Sequence, residues 1–106
     1  MSKYLLQVNY TTEGSKGLIK EGGTARRAAA QKAAESLGGR VESMYFAFGD
    51  TDAYVISEMP DNASVAALTL ALAASGGATG RTTVLLTPEE MDQATKKSPA
   101  YRPPGQ

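Results

Sequence analysis

The sequence predicts an α+β fold, with one antiparallel sheet covered on one face by two helices. Two observations predict it. Apolar residues alternate with others along four short runs, the period of a strand. Two alanine-rich stretches between those runs space their apolar residues three and four apart, the period of a helix with one buried face. The 106 residues are the size of one domain. At 42% apolar and 21% charged, the composition is that of a folded chain rather than a disordered one.

Residues 3–10 open the chain as a strand, with Tyr4, Leu6, Val8 and Tyr10 on one face and Leu5, Gln7 and Asn9 on the other. Thr11, Thr12 and Gly14 break it. Residues 13–21 predict a loop or one irregular helical turn. Leu18 and Ile19 ask for burial there, but Gly14 and Gly17 each cost a helix about 1 kcal/mol. Thr24 is the expected cap of a helix running to Leu37, with Ala30, Ala33, Ala34 and Leu37 as its apolar stripe. Gly38 falls where a left-handed C-cap belongs. Two strands follow over residues 40–48 and 52–59, joined by a hairpin turn at Gly49-Asp50-Thr51. In the first, Glu42, Met44, Phe46 and Phe48 alternate with Val41, Ser43, Tyr45 and Ala47. In the second, Tyr54, Ile56 and Glu58 alternate with Ala53, Val55, Ser57 and Met59. Asp61 caps a second helix, which lines one face with Val65, Leu68 and Leu72 and ends at Ser75-Gly76-Gly77. A fourth strand is expected over residues 81–87. Thr87-Pro88-Glu89-Glu90 then starts a short third helix: Thr87 caps, Pro88 takes the first helical position and Glu90 completes a capping box. Residues 1–96 form the domain, and the polar, Pro-rich residues 97–106 are expected to be a mobile tail.

The order β-α-β-β-α-β plus a terminal helix is the split βαβ, or ferredoxin-like, pattern. Each long helix is expected to be a right-handed crossover between parallel neighbours, which puts both on one face of a four-stranded sheet. The other face then lacks a cover, whichever face the helices take. Val55 and Met59 oppose Tyr54 and Ile56, Val84 and Leu86 oppose Leu85, and Val41 and Tyr45 oppose Met44, Phe46 and Phe48. A second copy packed face to face supplies the cover, as a twofold homodimer or a higher even oligomer.

What is missing narrows the chemistry. The chain has no histidine and no cysteine, so it lacks the commonest general base and transition-metal ligand, and any thiolate. Catalysis would rest on carboxylates, tyrosine, lysine, arginine or a borrowed cofactor. Carboxylates leave room for a hard-cation site, but no acidic loop of EF-hand spacing is present, and neither a metal nor a cofactor is expected. The longest mainly apolar stretch, residues 65–74, is about half the ~20 residues that cross a bilayer. The N-terminus lacks the order of a signal peptide. The expectation is a cytoplasmic protein with no membrane partner. Net charge is zero but divided: residues 1–40 sum to +4, residues 41–95 to −7 and the tail from Lys96 to +3. Such a division lets one copy attract another. Zero net charge, with no aromatic RNA-binding motif on the strands, argues against nucleic acid.

Several clusters are candidates for a ligand site, each with a plain structural alternative. Asp50 and Asp52 place two carboxylates beside a turn, suited to a cation or an acid–base pair, and equally to turn formation. Arg26 and Arg27 follow Gly22-Gly23 at a helix start, where an anion can bind; solvated arginines, or pairs with Glu21, account for them as well. Asn9 and Gln7 are amides in a central strand and need partners. With Tyr10, Tyr45 and Tyr54 nearby they can line a small pocket, or bond within a dimer interface. Pro99-Ala100-Tyr101-Arg102-Pro103-Pro104 has the composition of a docking peptide and also of a plain tail. Two functional readings follow. One is a homo-oligomeric binding or interaction module with a small-molecule ligand. The other is a cofactor-free small-molecule enzyme with Tyr45, Tyr54, Asp50 or Asp52, and Arg26 in one pocket.

Six segments are also familiar together: Tyr4-Leu5-Leu6-Gln7-Val8-Asn9-Tyr10, Lys20-Glu21-Gly22-Gly23, Leu37-Gly38-Gly39, Tyr45-Phe46-Ala47-Phe48-Gly49, Pro60-Asp61-Asn62-Ala63 and Leu85-Leu86-Thr87-Pro88-Glu89-Glu90. Spread over residues 1–95, they resemble the GYD domain family. The Gly, Tyr and Asp of its name point to the turn between strands two and three. Gly49 and Asp52 fit there, and Thr51 stands in the tyrosine's place. The resemblance implies a dimeric α+β barrel and brings no catalytic residues with it. Similar dimeric barrels include ligand binders, cofactor-free monooxygenases and isomerases, an analogy of fold that does not fix function.

Overall fold

A computed structural model describes the whole chain, Met1–Gln106. Its elements are β1 (Ser2–Tyr10), α1 (Thr12–Glu21), α2 (Gly23–Ser36), β2 (Arg40–Phe46), β3 (Ala53–Met59), α3 (Asn62–Ala74), β4 (Ala78–Leu85) and α4 (Pro88–Thr95). The four strands form one sheet in the order β2-β3-β1-β4, and every neighbouring pair is antiparallel. The fold is α+β and consistent with the ferredoxin-like pattern. One detail differs from expectation: no parallel strands are neighbours. Each crossover skips a position, because β3 returns from the hairpin into the gap between β1 and β2.

Alternation along β1 sets the two faces. Tyr4, Leu6 and Val8 are buried toward the helices, with Ala53, Val55 and Met59 of β3, Ala78 of β4, Ala34 of α2 and Val65 of α3. Tyr4 is closed over completely, and its hydroxyl donates to Asn62 Oδ1 at 2.6 Å, tying β1 to the start of α3. Only 11 of the 106 residues are buried, so the core is thin and stays divided into two clusters.

Residues 12–21 correct the expectation of a loop, for they form a ten-residue helix. Thr11 caps it by accepting from the Gly14 amide at 3.2 Å. The same hydroxyl donates to the Gly76 carbonyl at 2.8 Å, and the Thr11 amide donates to the Gly77 carbonyl at 3.0 Å. A side chain at Gly14 would overlap the Gly77 carbonyl. The glycine that lowers helix propensity is thus what lets α1 lie against the turn between α3 and β4, and tertiary contact outweighs propensity. Leu18 gains partial cover, whereas Ile19, also expected inside, is 86% exposed.

Thr24 is not a cap. Gly22, at φ 86°, ends α1 and begins α2 without a side-chain bond, and Thr24 falls inside the helix. The corner needs a residue at home with positive φ, which threonine is not. The far end of α2 follows expectation. Gly38 has φ 83° and donates to the Glu35 carbonyl, and Gly39 donates to the Ala34 carbonyl, a Schellman pair.

The second strand stops at Phe46, two residues early, and carries a bulge between Val41 and Ser43. The extra residue reverses parity. Val41 and Met44 therefore share the helix face, whereas simple alternation placed them opposite each other. The tight turn at Gly49-Asp50-Thr51 is also corrected. Residues 47–52 form a longer loop pinned to β1: Asp52 N–H bonds the Val8 carbonyl at 3.0 Å, Asn9 Nδ2 donates to the Asp50 carbonyl at 2.7 Å, and the Tyr10 amide donates to Asp52 Oδ2 at 2.9 Å. Phe48 is fully exposed in that loop.

Asp61 caps α3 through the Ser64 amide at 2.8 Å, and the Thr87–Glu90 capping box forms in both directions. Strand β4 begins at Ala78 and ends at Leu85, offset from the expected 81–87, because it pairs with β1 as far as Tyr10. Every residue from Pro88 to Gln106 is exposed. No helix is long and apolar enough to cross a membrane.

Candidate functional site

Two layers, sheet and helices, meet here with small residues on one side. Helix α2 presents Ala29, Ala30, Ala33 and Ala34 to the sheet, and α3 adds Ala71. Alanines cannot reach across a sheet–helix interface to fill it. A chamber of about 330 Å³ remains between the two core clusters, and 14 of its 17 lining residues are hydrophobic. Leu6, Val8, Val41, Met44, Val55 and the half-covered Leu68 are among its larger apolar walls. Ser57 is the one polar residue from the sheet.

The volume has an energetic consequence. Sealed and empty, 330 Å³ at ~24 cal/mol per Å³ would cost about 8 kcal/mol. That matches the whole stability of a typical domain, about 5–15 kcal/mol. A chamber of this size therefore persists only if it opens to solvent or is occupied.

It does open. Tyr10, Arg26, Leu72 and Ser75 line the chamber and also a second cavity of about 220 Å³ beneath α1. Gly14 and Gly17 help to form this vestibule, and Gly17 has open space in front of it. Ser75 is already engaged there. Its hydroxyl donates to the Leu72 carbonyl and accepts from the Gly77 amide, closing the end of α3. Arg26 is the only charged residue on the chamber lining. Its nearest acid is Glu21, with Nη1 and Oε2 3.8 Å apart and both side chains partly solvated, so the pair is weak.

The candidate residues divide. Arg26 and Tyr10 come together at the junction of chamber and vestibule. Arg27 lies outside, on a shallow groove beside Tyr45. Tyr45 and Tyr54 are cross-strand partners on the face away from the chamber. The Asn9 amide and the Asp52 carboxylate are engaged in the loop clamp described above, which Asp50 joins through its backbone carbonyl alone. Thr51 is buried at that loop and accepts from Arg81 Nη2 at 3.2 Å. No three acidic side chains gather to hold a metal ion. The four residues of the enzyme reading thus share no pocket.

The groups with displaced protonation lie elsewhere as well. Lys3 is held charged above its ordinary range by its hydrogen bonds to Glu42 and then Glu58. Glu58 is held below the usual carboxylate range by Lys3 and then Arg40. Asp61 is lowered by its capping bonds to Ser64. These are an ion-pair network on the open face and a helix cap. Neither sits in the chamber, where a catalytic acid or base would show such a shift.

Sequence reasoning missed the chamber itself, along with Ser57, Met44, Leu68 and the α2 alanines as its walls. The density of alanine where a small domain usually packs leucine was the signal that could have revealed it. No curated protein and no solved structure matches the chain. The sequence model of the GYD domain matches residues 4–95, which span every element from β1 to α4. With all of the sheet but the first two residues of β1, both cavities and all four helices inside that match, the chain belongs to the GYD domain family.

Proposed function

We propose that this chain is a homodimeric binding module that holds one small, largely apolar molecule in the chamber of each copy. The chamber carries the reading: it is in the size range of ligand sites, about 300–1,000 Å³, is walled by apolar side chains, and has few polar groups near its mouth. Its lining carries no carboxylate and no lysine, so it favours holding over converting.

The open face of the sheet supports the pairing. Leu5, Ile56 and Leu85 run across it half-buried, with no helix over them, and Tyr45 and Tyr54 extend the apolar strip. Lys3, Glu58 and Arg40 border that strip in an ion-paired set. An uncovered strip of this kind is buried by a second copy of itself.

Native mass spectrometry of gently purified protein tests both halves. The expected result is a two-subunit assembly carrying one extra mass per subunit, released on denaturation. Ile56→Lys is expected to give folded monomers that keep the extra mass. A wild-type monomer at micromolar concentration would refute the pairing. A bare subunit mass, on protein that no uncharged apolar probe such as 1-octanol stabilises, would refute the binding.

A further inference from the structure

We infer that the molecule held in the chamber carries a single negative charge, a carboxylate on an apolar chain or ring, and that Arg26 receives it. This rests on the binding reading above. The chamber is largely apolar: two serines apart, its one polar side chain outside the hydrophobic set is the Arg26 cation at its mouth, and its lining holds no acid. A purely apolar ligand would leave that guanidinium idle beside it, whereas a carboxylate meets its planar donors two at a time.

The arginine is available. Glu21 stands 3.8 Å from Nη1, too far for a hydrogen bond, and both groups face water. Arg26 also lies in the first turn of α2, where there is no acidic residue and no side-chain cap. A cation there is opposed by the helix dipole, and a bound anion relieves it. Tyr10 shares the same junction and adds a phenol donor.

Charge sets the class. The vestibule holds one arginine and one glutamate, and Arg27, the next residue, lies outside on the groove beside Tyr45. One cation facing one nearby carboxylate suits a monoanion and disfavours a phosphate with its second charge. The ligand's head takes the place of Glu21 at Arg26, and its tail enters among the α2 alanines and Leu6, Val8 and Val55.

The test compares octanoate with 1-octanol, equal in chain and different in charge, by calorimetric titration of the full chain at neutral pH. Wild type is expected to bind octanoate roughly tenfold more tightly than octanol, with a preference that shrinks as salt is added. Arg26→Met keeps an apolar stem and is expected to abolish the preference, so that octanoate binds no more tightly than octanol to the same variant. Glu21→Gln removes the competing carboxylate and is expected to strengthen octanoate binding several-fold relative to octanol. If Arg26→Met does not fold by circular dichroism, Glu21→Gln and the salt series carry the test. Equal binding of the two probes by wild type would overturn the anionic head and leave the binding reading standing. A preference that survives Arg26→Met would overturn the role of Arg26. Failure of both probes to bind would overturn the binding reading itself.

Discussion

Replacing Ala33 by leucine tests whether the chamber is usable space. Ala33 lies on α2 and lines the chamber. Leucine adds three carbons, each worth ~0.8 kcal/mol when taken from water into an apolar site, or about 2.4 kcal/mol together. Ordering the longer side chain takes back about 0.5–1 kcal/mol. A net gain of about 1.5 kcal/mol should remain, which in a domain of this size raises the melting temperature by roughly 6–12 °C. The assay is thermal unfolding by circular dichroism on protein freed of ligand by refolding from denaturant. Ala53→Leu is the control. Ala53 is fully buried in the β1–β3 cluster and does not line the chamber, so the same added carbons overpack it and cost about 1–3 kcal/mol. If Ala33→Leu destabilises as much as Ala53→Leu does, the space is absent and the reasoning from the chamber fails.

Three further outcomes follow from the fold. Gly14→Ala forces a side chain into the Gly77 carbonyl and should cost about 1–3 kcal/mol in urea unfolding, whereas Gly17→Ala, with open space around it, should gain up to about 1 kcal/mol from helix propensity. Equal effects would show that α1 does not rest on the α3–β4 turn. Tyr4→Phe removes the 2.6 Å bond to Asn62 and should cost about 0.5–1.5 kcal/mol; adding Asn62→Ala should cost less than the two changes summed. The ion pair of Lys3 and Glu58 sets a pH window. Glu58 titrates below its ordinary 4.5 in the folded chain, so its contribution is present above that value and lost as pH falls through the folded one. Lys3 titrates above its ordinary 10.5, so its contribution is complete below that value and lost as pH rises through the folded one. Urea midpoints should therefore be highest between these limits, and Glu58→Gln should flatten the acid side only in part, because Asp61 is lowered too.

Much of the fold was legible because its signals are local. Asp61, Thr87 and Gly38 act through bonds within one turn of their own positions, and each does what its sequence context implies. The alternation in β1 and β3 survives because neither strand is interrupted. The readings failed where a distant partner decided. Gly14 reads as a helix breaker until Gly77 is placed beside it. Val41 and Met44 read as opposite until the bulge in β2 brings them to one face. Asn9 and Asp52 read as part of a ligand cluster until the fold joins β1 to the loop, with Asn9 donating to the Asp50 carbonyl and Asp52 accepting from the Tyr10 amide.

The candidate site was legible only in part, for the same reason. Arg26 and Tyr10 were singled out by residue type, but 16 positions separate them in the chain, and nothing in their spacing brings them together. The sequence by itself determined the four strands, the helices α2, α3 and α4, the caps of α3 and α4, and two helices slim with alanine, since propensity, capping and periodicity act within a few residues. Tertiary structure alone decided that α1 exists, that the strands order as β2-β3-β1-β4, and that the alanines of α2 leave a space between helix and sheet. A cavity belongs to no single segment: it is the space left when elements far apart in the chain meet at distances their side chains do not fill.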